Sequence, residues 1–236
     1  IGNYSLDANT SGDLNIGLGY VALTQNSTGS SNVGIGNSAM QLNQTGSSNT
    51  TLGNNSMKSS LSSSYNTAVG AEALFDANRT SDTDGYNTAL GYNAGNTGTN
   101  DITTGNKNTL LGASTAASAA AGTNQTVIGF GASGTADNSV TIGNSSVTAW
   151  YPGSDDTADL GSSSVEFKDL YIDGTANLDA VDIDGGAIDG TAIGANSAST
   201  GAFTSITAST SVDITGSAGI ILENDETITN STDSQI

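Results

Sequence analysis

The stretch Asn32-Val33-Gly34-Ile35-Gly36-Asn37-Ser38-Ala39-Met40 recurs with variations along the first 147 residues. Its pattern is Asn, two variable residues, an aliphatic residue, Gly, two further residues, a small residue and often another aliphatic one. Successive copies of this Gly are separated by 17, 17, 17, 17, 21, 21, 17 and 14 residues. Such a period predicts a repeat architecture in which each unit buries its apolar face only against its neighbours.

Two columns of residues mark the repeat. The aliphatic residue before the Gly occurs in every copy and predicts an in-register, continuous apolar ladder as the repeat core. Its members are Ile1, Leu18, Ile35, Leu52, Val69, Leu90, Leu111, Ile128 and Ile142. The Asn four residues before the Gly predicts a ladder of side-chain amides that bond to the next coil or to their own turn. Its members are Asn15, Asn32, Asn49, Asn66, Asn87 and Asn108, with Gln125 and Ser139 later in the column.

Polar turns separate the units, as in Thr28-Gly29-Ser30-Ser31, where Gly supplies positive φ and Ser bonds locally to the backbone. A 17-residue unit has room for two short strands and two turns. Gly, Ser, Thr and Asn dominate, and apolar residues do not recur at helical spacing. We therefore predict an all-β protein: a parallel β-roll or β-solenoid of about nine coils over 1–147.

Composition excludes several classes of function. Leu, Ile, Val and Phe make up less than a fifth of the chain and the net charge is −19, which is typical of disorder, but the ladder concentrates the apolar residues. The chain has no Cys, no His and four basic residues. Phosphate neutralisation is therefore weak, and the commonest general base and transition-metal ligand are missing. We expect no nucleic-acid partner, no membrane insertion, no cofactor, no metal site and no catalytic residues.

The pattern breaks after residue 147. Residues 148–175 contain the only Trp and the only Pro, Trp150 and Pro152, and are predicted to form a capping or transition segment. Residues 176–236 are short alternating segments rich in Gly and Asp, predicted to form a trimeric β-rich fibre shaft, because they are too poor in apolar residues for a monomeric core. Since the chain starts at Ile1, inside a repeat and without Met, we expect it to be part of a longer polypeptide.

The repeats resemble known sequences. The units Asn66-Thr67-Ala68-Val69-Gly70-Ala71-Glu72-Ala73-Leu74 and Asn87-Thr88-Ala89-Leu90-Gly91-Tyr92-Asn93-Ala94 are similar to the head repeats of trimeric autotransporter adhesins, and more so to longer-period versions in bacteriophage tail-fibre proteins. The segment 159–174, with Asp159-Leu160-Gly161-Ser162-Ser163 and Phe167-Lys168-Asp169-Leu170-Tyr171, resembles a motif common in phage tail fibres, notably those of marine cyanophages. Segments 188–194 and 199–209 resemble shaft sequences of the same phages.

This resemblance implies a left-handed parallel β-roll whose three chains pack side by side. It also implies a structural, adhesive fibre segment of a phage virion, extracellular and involved in host attachment. The partners it implies are further copies of the chain, other virion fibre or baseplate proteins, and a host cell-surface glycan or protein. Receptor-binding residues stay unassigned. The alternatives are the head of a bacterial trimeric surface adhesin and another virion appendage, such as a head fibre.

Several other residues are candidates for sites. Asp179, Asp182 and Asp184 lack the spacing of a calcium loop, and solvated strand edges explain them better than weak divalent binding. Asp155, Asp156 and Asp159 offer carboxylates to a glycosidase, but their spacing does not predict a pair across a groove. Ice binding by a Thr column, at Thr50, Thr67, Thr88, Thr109 and Thr126, lacks a second column. Tyr20, Tyr92 and Phe130 follow the marker Gly, and a chain-to-chain seam explains them better than glycan stacking.

Overall fold

The computed structural model describes residues 1–78, 84–153 and 159–176 and shows an all-β protein. Its eight three-residue strands are β1 (Ile16–Leu18), β2 (Val33–Ile35), β3 (Thr50–Leu52), β4 (Thr67–Val69), β5 (Thr88–Leu90), β6 (Thr109–Leu111), β7 (Thr126–Ile128) and β8 (Val140–Ile142). They form one parallel sheet in sequence order. The chain therefore winds as a β-solenoid of about seven turns, which confirms the predicted fold class with fewer coils than the nine predicted.

The first repeat copy explains part of this difference in coil number. Around Gly2 the chain contributes backbone hydrogen bonds without forming a strand of its own: the Gly19 and Val21 N–H groups donate to the carbonyls of Ile1 and Asn3, at 2.9 and 3.0 Å. From β1 onward, equivalent residues pair at every step, as in Leu18 with Ile35. The two 21-residue coils keep this register because their extra residues lie between the strands.

Each coil contains one strand, whereas the sequence suggested room for two. The rest of the coil turns through non-glycine residues with positive φ, such as Val21 (51°), Leu23 (53°) and Ser31 (59°). Each residue in this left-handed region costs about 1–2 kcal/mol. Backbone hydrogen bonds between coils hold the corners, as where the Leu23 N–H donates to the Ala39 carbonyl at 3.0 Å. The corners bend too tightly for a second strand to form.

The core is built by a different aliphatic column from the one predicted. The residues four after the marker Gly, Leu23, Met40, Met57 and Leu74, are fully buried and belong to one apolar cluster. In β1 to β7 the middle residue is buried and its two neighbours are exposed or half-buried. The middle position must stay small where the opposite corner is large: a Cβ on Gly34 would lie 3.1 Å from Leu23 Cγ.

The predicted core ladder therefore lies on the outside of the single chain. Ile1, Leu18, Leu52, Leu90, Leu111 and Ile142 are exposed, and Ile35, Val69 and Ile128 are half-buried. Their alignment in one column was predicted correctly, and strands β1 to β8 pair the members from Leu18 to Ile142 rung by rung. Their burial within the chain was predicted wrongly, because the narrow coil interior is already filled by the Leu23 column and by small residues.

Backbone contacts divide the chain into two compact units, Ile1–Leu160 and Gly161–Ile236. The repeat array lies in the first unit. In the second, Ser162 and Val165 form an isolated antiparallel bridge. The predicted fibre shaft lies outside the described residues from 177 onward, and so do Asp179, Asp182 and Asp184.

Candidate functional site

The outward side of the sheet carries two columns of uncharged side chains, which we call the strand face. The first strand positions contribute Ile16, Val33, Thr50, Thr67, Thr88, Thr109, Thr126 and Val140. The third positions contribute Leu18, Ile35, Leu52, Val69, Leu90, Leu111, Ile128 and Ile142. None of these residues is charged, although the chain carries a net charge of −19. Leu52 and Leu90 are 48% and 46% exposed. The aliphatic third-position column is a contiguous apolar stripe on the outside of the chain, and such a stripe marks an interaction surface.

The marker Asn side chains form a buried ladder along the solenoid axis. Asn49 Nδ2 donates to Asn32 Oδ1 at 3.1 Å and to the Ser63 carbonyl at 2.9 Å, while Asn49 Oδ1 accepts the Asn66 N–H at 2.9 Å. The same backbone-to-amide contact links successive rungs from Asn15 to Asn108, at 2.9 to 3.1 Å. Each rung thus binds both an adjacent rung and a turn carbonyl, which makes the column a structural element.

The ladder ends at Gln125, whose N–H donates to Asn108 Oδ1 at 3.0 Å. The longer Gln125 side chain turns away, and its Nε2 donates to Ser118 Oγ at 2.7 Å and to Asp137 Oδ1 at 3.0 Å. The Thr123 N–H also donates to Asp137 Oδ1, at 2.8 Å, and these two donors hold the pKa of the Asp137 carboxyl below its usual range. Asp137 is exposed, and we read it as a cap of the ladder.

A second amide column lies beside the first and escaped the sequence analysis. Asn26 Nδ2 donates to Asn9 Oδ1 and Asn43 Nδ2 donates to Asn26 Oδ1, both at 2.7 Å. Each amide also donates to the carbonyl three residues later, as from Asn43 to Gly46 at 3.0 Å. The next position of the column is Ser60, and Asn43 Oδ1 and Ser60 Oγ are both buried without a hydrogen-bond partner. The 17-residue recurrence of Asn9, Asn26 and Asn43 was the available signal.

The second column predicts a coupled pair of substitutions. Wherever it holds Asn, the residue three later is Gly, because a Cβ on Gly46 would lie 2.4 Å from Asn43 Oδ1. We expect Ser60→Asn to destabilise the chain through a clash with the Ser63 Cβ, and Ser60→Asn combined with Ser63→Gly to relieve it. Urea unfolding should give a coupling energy of about 1–3 kcal/mol. Additive effects of the two substitutions would contradict this.

Exposed aromatic residues occupy two further columns. Tyr20, Tyr92 and Phe130 are 53%, 57% and 74% exposed. Tyr65 and Tyr86 each precede a ladder Asn, and their rings stack at 5.0 Å between centroids with 8° between planes. Sequence analysis missed the pair Tyr65 and Tyr86, although both residues directly precede a ladder Asn in the sequence.

The acidic and Thr residues that the sequence offers as candidate sites are not brought together by the fold. Asp155 and Asp156 fall outside the described residues, and Asp159 is exposed. Across 1–78, 84–153 and 159–176, no three acidic side chains converge where they would hold a metal ion. Thr50, Thr67, Thr88 and Thr109 are exposed in one column, but the neighbouring outward column is aliphatic.

Among the described residues, no helix has the length and apolar character to cross a membrane. Comparison with protein-family models, with curated proteins and with solved structures gives no match to this chain.

Proposed function

We propose that this chain is a structural, adhesive segment of a phage tail fibre that takes part in host attachment and works as a homotrimer. The observation that carries the proposal is the strand face, an uncharged stripe eight rungs long on a strongly acidic chain, with one column aliphatic throughout and five Thr in the other. At about 4.8 Å per step, seven steps extend it over roughly 34 Å. A stripe of this length suits lateral association with other elongated chains better than a compact ligand.

The charge of the chain favours further copies of itself as the occupant of the strand face. Two acidic chains repel each other wherever carboxylates meet, so self-association requires an interface free of charge. The strand face meets this condition along its whole length. Packing of its aliphatic column between chains would bury the side chains that the single solenoid leaves outside, such as Leu90.

The assignment to a virion rests on the sequence motifs. Segment 159–174 and the longer-period repeats resemble phage tail fibres more than bacterial adhesins. A solenoid with continuous backbone ladders would supply a stiff support, and three copies of a weak binding surface would raise the apparent affinity for a host. Other virion fibre or baseplate proteins are the proposed attachment partners, and a host cell-surface glycan or protein is the proposed receptor.

Substitution of Leu90 by Asp tests the role of the strand face. Because Leu90 is outward, the single chain is expected to keep its fold, while three buried carboxylates should disrupt the trimer. We expect the wild-type chain to have three times the mass of 23.3 kDa by analytical ultracentrifugation, and Leu90→Asp to sediment as one chain.

The matched control is Thr99→Asp, which adds the same charge at an exposed turn residue outside the strand face. It should leave the trimer intact. A folded wild-type sample with the mass of a single chain would refute the homotrimer, and equal dissociation by both variants would remove the strand face from the interface.

Antibody-gold labelling of the source material in the electron microscope tests the location. Gold along thin fibres on phage particles is the expected result, and its position would separate a tail fibre from a head fibre. Gold on cell envelopes would instead favour the head of a bacterial trimeric surface adhesin, the second candidate, which the similarity of the Asn66–Leu74 repeat unit supports.

A further inference from the structure

Tyr65 and Tyr86 form a stacked aromatic pair on the surface outside the strand face. Both residues are 48% exposed, and their rings stack in parallel across two adjacent coils. Both residues have positive φ, 60° and 49°, a conformation that is rare for large side chains. The same position in the two preceding coils holds Ser31 and Ser48, with φ of 59° and 58°. The backbone therefore does not require an aromatic residue here.

We propose that Tyr65 and Tyr86 form a platform on which a neutral glycan stacks. Each tyrosine is 48% exposed, and the preceding coil holds the small Ser48 at the same position, so no large side chain of this column lies beside the face of Tyr65 that is turned away from Tyr86. Pyranose rings present positively polarised C–H groups, which pack against the electron-rich face of an aromatic ring. The stacked partner restricts each ring, so less side-chain freedom is lost when a ligand binds.

One hydrogen bond and the charge of the chain bear on which ligand fits the platform. Tyr86 Oη donates to Asp84 Oδ2 at 3.3 Å, which restricts the hydroxyl end of one ring. Lys107 holds the same column position one coil after Tyr86, but the net charge of the chain, −19, disfavours uronic and sialic acids, because an acidic chain repels an acidic ligand. The platform is therefore assigned to uncharged hexose or N-acetylhexosamine units. This inference rests on the proposed role in host attachment and names the surface that would serve it.

Saturation-transfer NMR on the full chain tests the platform, with dextran, mannan, galactan and chitin oligosaccharides as neutral probes and alginate as the acidic probe. We expect transfer from aromatic protons to at least one neutral glycan and none to alginate. Tyr65→Ser and Tyr86→Ser should each weaken binding about tenfold, the scale of a lost aromatic stacking contact. Ser is the matched replacement, because Ser31 and Ser48 hold the same backbone conformation.

Tyr151→Ser, which removes an exposed tyrosine outside the pair, is the control and should leave binding unchanged. The proposal is overturned if no neutral glycan binds, or if Tyr65→Ser binds as well as the wild type. A fall in oligomer mass in Tyr65→Ser without an effect on a glycan would assign the pair to a chain contact instead. Because the isolated chain is used, this result is independent of gold labelling, so failure of the platform and failure of the fibre proposal are distinguishable.

Discussion

Gly53→Ala is expected to be among the most destabilising single substitutions in the chain. An added Cβ would lie 2.3 Å from the Gly70 carbonyl oxygen and 2.5 Å from the Gly70 carbonyl carbon, both backbone atoms of the next coil. Neither can move without separating the coils, because the Gly70 N–H donates to the Leu52 carbonyl at 2.8 Å. Over-packing costs about 1–3 kcal/mol, and the φ of +149° adds about 1–3 kcal/mol for a non-glycine residue.

Urea unfolding followed by circular dichroism measures this loss, and two other glycines calibrate it. At Gly129 a Cβ would lie 3.3 Å from the nearest backbone atom, so Gly129→Ala should cost less than Gly53→Ala. At Gly153 a Cβ meets nothing within 4 Å, so Gly153→Ala should be nearly neutral. The expected order is Gly53, Gly129, Gly153. Equal losses at Gly53 and Gly129 would show that close stacking of coils is not what the glycine provides.

The marker Gly and the Asn ladder show why the fold class was accessible from sequence. A position that accepts only glycine and recurs at a fixed interval implies that every copy meets the same kind of neighbour. That inference needs no knowledge of coil shape. The Gly53 contact with Gly70 is its physical cause, since the two backbones approach too closely for any side chain.

The position of the core was harder to predict, because a large aliphatic residue is usually assigned to the interior. Leu52 and Met57 are both apolar and both recur, and only the coil geometry decides which one points inward. The strand centre Thr51 is buried, so its neighbour Leu52 must face outward. Alternation around a small central residue was visible in Thr67-Ala68-Val69, and would have suggested the correct side.

Compensation inside the core was invisible in any single repeat. In the coil after Gly91, the corner position that holds Leu or Met in the preceding coils is Gly95, where a Cβ would lie 2.8 Å from Leu74 Cδ2 and 3.0 Å from Leu110 Cδ1. Leu110 lies at a strand centre and fills the vacated space together with Ile102, both fully buried. Such exchanges couple residues of different coils, so a pattern read one unit at a time cannot reveal them.

Asn49→Ala is the second substitution with a large expected effect, because it removes one rung from the middle of the ladder. The Ser63 carbonyl would lose the Asn49 Nδ2 donor, the Asn66 N–H would lose its acceptor, and Asn32 Oδ1 would lose one of its donors. Each buried group left without a partner costs about 1–3 kcal/mol. The total of roughly 3–5 kcal/mol should appear as a lower urea midpoint with an unchanged slope.

Asn49→Asp removes the amide donor without changing the size of the side chain, so it tests the hydrogen bonds apart from the packing. It keeps an acceptor for the Asn66 N–H but removes both amide hydrogens, and it places a buried carboxylate at 3.1 Å from Asn32 Oδ1. Burial and a facing oxygen raise the pKa of such a carboxyl in the folded state, so the loss should be greatest above that pKa and shrink as the pH falls. Asn54→Ala, at an exposed position, is the control and should be nearly neutral. If Asn49→Ala were as mild as Asn54→Ala, the ladder would not be a source of stability, and the repeated Asn would need another explanation.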